Sequence, residues 1–222
     1  NAALKIPAAL IVSSSVILAA VFPPLSRYYK TTFDTFKRLF AITFRFSLAV
    51  TLPVIVGGFV LGNQIILFIY GGRFIESAFS FKILIWIAGL VWISGLFSHV
   101  MWAEGRQKTV LHIVVIHWVA GFILNCFFIP LWSLNGAALA TLAGKFLESL
   151  MYVFALKPYL KEFRYSYIIH PLLCSLVMGG FLILMSDIDI LMLIPAGALI
   201  YFVVFIVTGG ISKSDIVLLK EV

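Results

Sequence analysis

The sequence has very little charge. Only 11% of its 222 residues are Asp, Glu, Lys or Arg, and nine of these are acidic. A soluble domain carries about 25% charged residues, so this chain could not cover a water-facing surface of its own. Hydrophobic residues make up 63% of the chain, and the mean hydropathy is +1.13. A chain this apolar along its whole length needs lipid as its solvent, which predicts an integral membrane protein.

Cysteine and catalytic motifs are also scarce. The two cysteines, Cys126 and Cys174, lie in separate apolar runs, so neither a disulfide framework nor a metal site is expected. The sequence has no Ser-His-Asp arrangement, no phosphate-binding glycine loop and no paired catalytic carboxylates. We therefore expect a transporter without a cofactor and not an enzyme. The first residue is Asn1 and not Met, and we interpret the chain as a fragment without its N-terminal part.

Long apolar runs predict an all-α, polytopic fold of about seven transmembrane helices. The runs are apolar on all sides, whereas the strands of a membrane barrel alternate apolar and polar residues. Each run approaches the 20 or so residues that a spanning helix needs. The predicted spans are residues 4–22, 39–61, 79–102, 110–129, 136–156, 168–185 and 188–208.

The loops between these runs alternate in charge. The even loops carry little positive charge; the second has Arg73 alone, and the sixth has Asp187 and Asp189 without a base. By the positive-inside rule, the odd loops and the C-terminus are cytoplasmic, in a multi-pass protein of the inner (cytoplasmic) membrane. This placement of the positive charge argues against nucleic acid as a partner. The basic residues of the odd loops and the tail are Arg27, Lys30, Lys37, Arg38, Arg106, Lys108, Lys157, Lys161, Arg164, Lys213 and Lys220.

The segment 23–38 has a pattern of its own. Pro23 and Pro24 are expected to end the first helix. After them, apolar residues recur at helical spacing with basic residues on the other faces, which predicts a cytoplasmic amphipathic connector lying in the membrane interface. A plain solvated linker is the alternative. The apolar residues are Leu25, Tyr29, Phe33, Phe36 and Phe40.

Charged residues within or at the start of a predicted span are costly and mark a functional site by default. Lys145 and Glu148 fall near the middle of the fifth span and, being three residues apart, share a helix face on which they could pair. Arg45, Lys82 and Lys5 lie closer to an interface, where long side chains reach water. These five residues are the candidates for lining a substrate cavity.

Other residues in the spans are interpreted as structural. Gly136, Ala140 and Gly144 form a row of small residues that lets helices approach closely. Pro53 with the following glycines predicts a kink in the second span. His112 and His117 are five residues apart, which does not align them on one helix face, so interfacial or cavity hydrogen bonding is expected for both, not metal binding.

Three stretches resemble the C-terminal half of a polysaccharide flippase of the Wzx type, in the MOP (MATE-like) transporter superfamily. The best match is "IPLWSLNGAALAT" at 129–141, with Asn125 upstream. The stretch "LPVIVGGFVLGNQIILFIYGGRFIES" at 52–77 resembles the ninth helix and its following loop, and "VFPPLSRYY" at 21–29 resembles the end of the eighth. The resemblance implies one lobe, helices eight to fourteen, of a fourteen-helix transporter.

The resemblance further implies a function. Such a protein moves an undecaprenyl-pyrophosphate-linked oligosaccharide, for example an O-antigen unit of lipopolysaccharide, across the membrane by alternating access. Its partners would be the bilayer, a missing N-terminal lobe and polysaccharide polymerase machinery. Cationic side chains in a cavity of low dielectric would offset the charge of the pyrophosphate.

Three alternatives remain open from the sequence, one of which is a membrane-embedded scaffold with no transport role. A MATE-type exporter of drugs or cations should have an acidic cavity, whereas the deep charges here are mainly basic. A membrane polymerase or ligase of polysaccharide assembly should have a large outer loop, whereas the longest outer loop here is about 62–78.

Overall fold

A computed structural model describes residues 5–160, 163 and 166–210. Within these residues the chain is all-α and contains no strand. A 3₁₀ turn, Gly72–Phe74, follows the third helix. The predicted loop and tail residues Lys161, Arg164, Lys213 and Lys220 lie outside the described residues. The helices are α1 (Lys5–Thr31), α2 (Phe33–Val60), α3 (Gly62–Tyr70), α4 (Ser77–Ala103), α5 (Gln107–Ala155), α6 (Lys157–Leu160), α7 (Ser166–Leu184) and α8 (Ile190–Val207).

The described helices form a polytopic membrane lobe, as the composition predicts. Six of them are long and apolar enough to cross a membrane. The predicted fourth and fifth spans both lie inside α5. The short helix α3 occupies the predicted second loop, where the sequence pattern did not indicate a helix.

The expected end of the first helix at Pro23 and Pro24 is wrong. Both prolines lie inside α1, which continues to Thr31. Proline removes the hydrogen bond to the carbonyl four residues earlier, but its φ of about −65° is itself helical. A membrane helix tolerates the loss when neighbouring groups satisfy the freed carbonyls. The sequence pattern predicted the end of a helix where proline only removes hydrogen bonds within it.

The separate amphipathic connector at 23–38 is also wrong. Its residues belong to the end of α1 and the beginning of α2, which Thr32 separates. The apolar face does exist, but Leu25, Phe36 and Phe40 are fully buried against the lobe. Protein covers these three residues of the face, whereas Phe33 is 45% exposed.

Helix α4 is the centre of the lobe. It packs against α1, α2, α3 and α5, and α2 in turn packs against α7. Glycines make the closest approaches possible, since a Cβ at Gly89 would lie 2.8 Å from Ile55 Cγ1 and 2.9 Å from Thr51 Cγ2 of α2. Bulkier residues at this position would force α2 and α4 apart.

A proline in α2 leaves a backbone carbonyl free, and a side chain of α8 donates a hydrogen bond to it. Pro53 lies inside the helix and has no N–H to donate to the carbonyl of Ala49. The Tyr201 hydroxyl of α8 donates to that carbonyl oxygen over 2.7 Å. The sequence predicts a distortion at Pro53; the structure adds that a side chain from a distant helix satisfies the carbonyl that the proline leaves free.

The loops gather at two ends of the lobe. At one end, Gln64 donates to the carbonyl of Ser186 over 2.8 Å, and Ser80 donates to Asn135 over 2.8 Å, which joins the even loops. At the other end, the rings of Phe33 and Tyr159 lie 6.3 Å apart, which joins the first loop to the fifth. The odd loops thus share one end, as an alternating topology requires.

The third loop also belongs to that end. Arg106 donates to Glu104 over 3.1 Å and to the carbonyl of Ala155 over 3.3 Å. Burial first, and then the Glu104 carboxylate, raise the pKa of the Tyr159 phenol. The loop between α4 and α5 is therefore tied to the end of α5 and to α6.

Candidate functional site

Helix α5 is a hairpin of two arms. An unbroken helix of its 49 residues would be about 74 Å long at 1.5 Å per residue, more than twice the thickness of a bilayer core. Ser133 interrupts it with a φ of 47° and a ψ of −121°, which is not helical. Gly136 follows where a Cβ would collide with the carbonyl oxygen of Phe128. The tight turn thus lies where the sequence predicts an uncharged loop, at 130–135.

Glycines bring the two arms into contact. A Cβ at Gly144 would lie 3.6 Å from the Cα of Gly121 and 3.4 Å from Cε1 and Nδ1 of the His117 ring. Small residues at such crossings let membrane helices approach until side chains interlock. The predicted packing role of Gly136 and Gly144 agrees with these contacts.

A cluster of three ionisable side chains lies one turn beyond this crossing. We call it the hairpin cluster: Lys145, Glu148 and His117. Lys145 Nζ donates to Glu148 Oε2 over 2.6 Å, which is the pairing that the three-residue spacing predicts. His117 Nδ1 lies 3.5 Å from the same carboxylate oxygen. Because His117 is on the first arm and the other two residues are on the second, Glu148 Oε2 joins the arms.

The hairpin cluster is enclosed although its helix is not. The side chain of Glu148 is 7% exposed, and those of Lys145 and His117 are each 16% exposed. Around them, α5 presents large apolar side chains such as Trp118 and Phe154, which are 71% and 70% exposed. A charge at the bilayer centre costs about 3 kcal/mol or more, so the mutual pairing of Lys145 and Glu148 is what makes their depth tolerable.

Arg45 lies at a different place. Its guanidinium donates to the carbonyl of Gly209 over 3.2 Å and to that of Gly210, just after α8 ends. It also lies 5.3 Å from the centre of the Tyr167 ring on α7. A cation at the C-terminus of a helix offsets the partial negative charge of its last carbonyls. These contacts link α2, α7 and α8, which is a structural role in this conformation.

The two remaining lysines are near the even-loop end. Lys82 extends along Gly62, where a Cβ would lie 2.8 Å from its Cγ, and its ammonium lies 5.6 Å from the centre of the Phe59 ring. Lys5 is exposed at the start of α1. The structure thus brings Lys145 and Glu148 together and places Arg45, Lys82 and Lys5 on other helices. The role of all five in a substrate cavity stays a prediction.

His117 is the residue that sequence reasoning missed. Sequence reasoning compared His117 with His112 on the same arm, but its neighbour Glu148 comes from the other arm. The signal was present: His117 lies one turn before Gly121, and Glu148 lies one turn after Gly144. In an antiparallel hairpin whose arms cross at these glycines, both residues fall at the same level.

Other polar residues have local structural roles. The Asp189 carboxylate accepts a hydrogen bond from the N–H of Leu191 over 3.1 Å and so caps α8. His99 lies against the rings of Phe22 and Trp102. Among the described residues, no group of three or more His, Cys, Asp or Glu side chains is arranged to hold a metal ion.

Comparison with known proteins identifies the family. The model of the family described as "Lipid II flippase MurJ" matches residues 1–208. This chain belongs to the MurJ lipid II flippase family. Members of the MurJ family are transporters and not enzymes, as the absence of a catalytic set predicts. The match supports a flippase of the MOP superfamily but not the Wzx type in particular, so that finer resemblance is not upheld.

A solved structure supports the same fold. The structure entitled "Lipid II flippase MurJ, inward closed conformation" superposes with a TM-score of 0.73 at 19% sequence identity. The match covers 91% of this chain and 47% of that one, so the chain spans about half the length of the MurJ structure. No curated protein sequence shows a significant match.

Proposed function

We propose that this chain forms one lobe of a flippase that moves lipid II, a lipid-linked peptidoglycan precursor, across the cytoplasmic membrane by alternating access. The family match over residues 1–208 carries the proposal, since it includes every described helix from α1 to the end of α8. The likeness of the fold to half of a MurJ structure supports the arrangement as one lobe of two. The odd loops would be cytoplasmic, by their positive charge.

The hairpin cluster argues against the alternative of a cation exporter. Glu148 is the acidic side chain that lies deep in a described span, and Lys145 neutralises it over 2.6 Å. A carboxylate already paired with an ammonium attracts a cationic substrate weakly. A polymerase or ligase is not supported either, because the family consists of transporters.

Lys145 has a place in the proposed mechanism. A lipid-linked pyrophosphate is anionic, and an ammonium in a poorly hydrated site would bind it strongly. In this conformation the ammonium of Lys145 is paired with Glu148, so a substrate phosphate has to displace that carboxylate. We expect Arg45, Lys82 and Lys5 to contribute charge only where another conformation turns them toward the same cavity.

Vesicles containing the complete protein, with whatever chain flanks these 222 residues, test the function directly. Labelled lipid II is placed in one leaflet, and its arrival in the other is followed. Transfer above that of empty vesicles supports the proposal. Transfer of an undecaprenyl-pyrophosphate-linked O-antigen unit but not of lipid II would favour the polysaccharide flippase that the motif at 129–141 resembles. Transfer of neither compound overturns both assignments.

Lys145→Ala tests the site in the same assay. Loss of a desolvated charge contact to phosphate of about 2–3 kcal/mol corresponds to a transfer slower by about 30- to 150-fold. Lys157→Ala is the matched control, because Lys157 is exposed at the start of α6. Normal transfer by a well-inserted Lys145→Ala protein would remove Lys145 from the mechanism.

A further inference from the structure

His117 differs from the two other members of the hairpin cluster in lacking a hydrogen bond. Lys145 donates to Glu148 Oε2 at 2.6 Å, but His117 Nδ1 is buried without a hydrogen-bond partner, 3.5 Å from the same oxygen. A buried polar atom without a partner is costly, and native structures keep few of them. When the neutral ring carries its proton on Nε2, Nδ1 is an unpaired acceptor facing a carboxylate, and a proton added at Nδ1 would complete a hydrogen bond to Glu148 Oε2.

The net charge of the hairpin cluster also favours the binding of one proton. Lys145 and Glu148 form a neutral pair, so the cluster with a neutral imidazole carries no net charge. One added proton makes it singly positive. If the proton is on His117, the imidazolium donates to Glu148 Oε2; if it is on Glu148, Lys145 is released. Histidine is the side chain whose charge ordinarily changes near physiological pH.

The position of the ring makes proton binding sensitive to conformation. His117 and Glu148 are on opposite arms of α5, so their separation changes when the arms slide or part. A Cβ on Gly144 would already touch the His117 ring at 3.4 Å, which shows that the ring lies directly on the second arm. Any movement between the arms would therefore alter proton affinity, and by linkage proton binding would alter the arrangement of the arms.

The neighbouring elements add no competing charge at this level in the described part of the chain. On α5 itself, Tyr152 lies one turn from Glu148, and His112 is exposed. Helix α4 contributes Lys82, which lies over Phe59, and His99, whose ring nitrogen lies 2.8 Å from the carbonyl oxygen of Gly95. Helix α6 carries Lys157 and Tyr159 beyond the end of α5. The proton would thus be shared among the members of the hairpin cluster.

We propose that His117 and Glu148 form a proton-binding site between the two arms of α5, and that the binding of a proton there couples lipid II translocation to the proton gradient. The ligand is a proton, and Lys145 is the cation that its arrival on Glu148 would release. The coupling rests on the proposed function, whereas the proton-binding site does not.

Proton binding is tested first without transport. In the complete detergent-solubilised protein labelled with ¹⁵N-histidine, the His117 ring signals should change with pH, and Glu148→Gln should move the midpoint of that change by removing the adjacent carboxylate. The His112 signals serve as the internal control, and their midpoint should not move. A His117 ring that keeps one protonation state from pH 5 to pH 9, or a midpoint that ignores Glu148→Gln, overturns the site.

Coupling is tested in vesicles at zero membrane potential. A gradient of one pH unit biases a one-proton process tenfold, so the distribution of labelled lipid II between leaflets should shift by up to about tenfold. His117→Gln should abolish this shift, and His112→Gln should keep it. The coupling is overturned if the distribution of labelled lipid II in the wild-type protein does not change with the gradient. It is also overturned if His117→Gln still responds to the gradient. Vesicles that move no lipid II at all contradict the proposed function instead, while the ring titration still decides the site.

Discussion

Helices α4 and α5 are held in the lobe in opposite ways. In the most apolar window of α4, 56% of residues are buried, against 6% in the corresponding window of α5. Helix α4 is enclosed by apolar neighbours on several sides and approaches α2 through Gly89. Helix α5 packs chiefly on α4 and on itself, and it encloses Lys145, Glu148 and His117 between its arms. The central helix α4 is held in place by close packing of apolar side chains, whereas the peripheral helix α5 is held by a few specific contacts.

The ionisable side chains that we propose for transport lie on the peripheral helix α5. Closely packed apolar interiors tolerate little displacement, which suits a scaffold such as α4. Two arms that meet at glycines and share one carboxylate are held by fewer contacts, so we expect a rearrangement between them to cost less. The comparison predicts that substitutions in α4 will act through packing, and substitutions in the peripheral helices through charge or hydrogen bonding.

The largest effect is expected at Glu148. Glu148→Ala leaves the ammonium of Lys145 buried without its partner, which should lower the free energy of unfolding in mixed micelles by about 3–5 kcal/mol. The double variant Lys145→Met with Glu148→Met should restore most of this stability, because two apolar side chains can replace a buried pair. Restored lipid II transfer in the double variant would contradict a transport role for the pair.

Gly89 provides the corresponding test in α4. Gly89→Ala places a Cβ within 2.8 Å of Ile55 Cγ1, and the enforced shift should cost about 1–3 kcal/mol of unfolding free energy. Gly180→Ala is the matched control, because a Cβ there meets nothing within 4 Å, and it should be neutral or slightly stabilising. Equal stability of the two variants would show that the centre of the lobe yields more easily than its packing suggests.

Tyr201 tests whether a single hydrogen bond holds a second peripheral helix. Tyr201→Phe leaves the Ala49 carbonyl without a donor and should cost about 1–2 kcal/mol of unfolding free energy. In a Pro53→Ala background, the restored N–H can serve that carbonyl, so the same substitution should cost less. Tyr70→Phe is the control. Additive effects of the Pro53 and Tyr201 changes would show that the proline does not create the need for the tyrosine.

The smallest effect is expected at the start of α8. Asp189→Ala removes the cap on the N–H of Leu191 and should cost about 1 kcal/mol in thermal or chemical unfolding. Asp187→Ala, two residues earlier in the same turn, should change little. An equal loss in both variants would indicate that the negative charge of the turn matters and the cap does not.

Much of the fold could be predicted because lipid imposes simple rules. Continuous apolar runs predicted the helices, and the charge of the loops predicted which loops share an end, as the contacts of Phe33 with Tyr159 and of Gln64 with Ser186 now illustrate. The error at Pro23 and Pro24 arose because proline weakens a helix locally, and only neighbouring contacts decide whether the helix continues. The site was half predicted, since Lys145 and Glu148 are close in sequence whereas His117 reaches them only through the hairpin.

The sequence by itself determined that the chain is a helical membrane protein, that it resembles a MOP flippase, and that Lys145 and Glu148 pair. Hydropathy, helical spacing and short motifs are local properties, so they can be read along the chain. Tertiary structure alone decided that Arg45 meets the end of α8, that Tyr201 satisfies Ala49, and that His117 joins the hairpin cluster. Each of these contacts depends on how helices cross, and crossing is decided where small residues allow two backbones to meet.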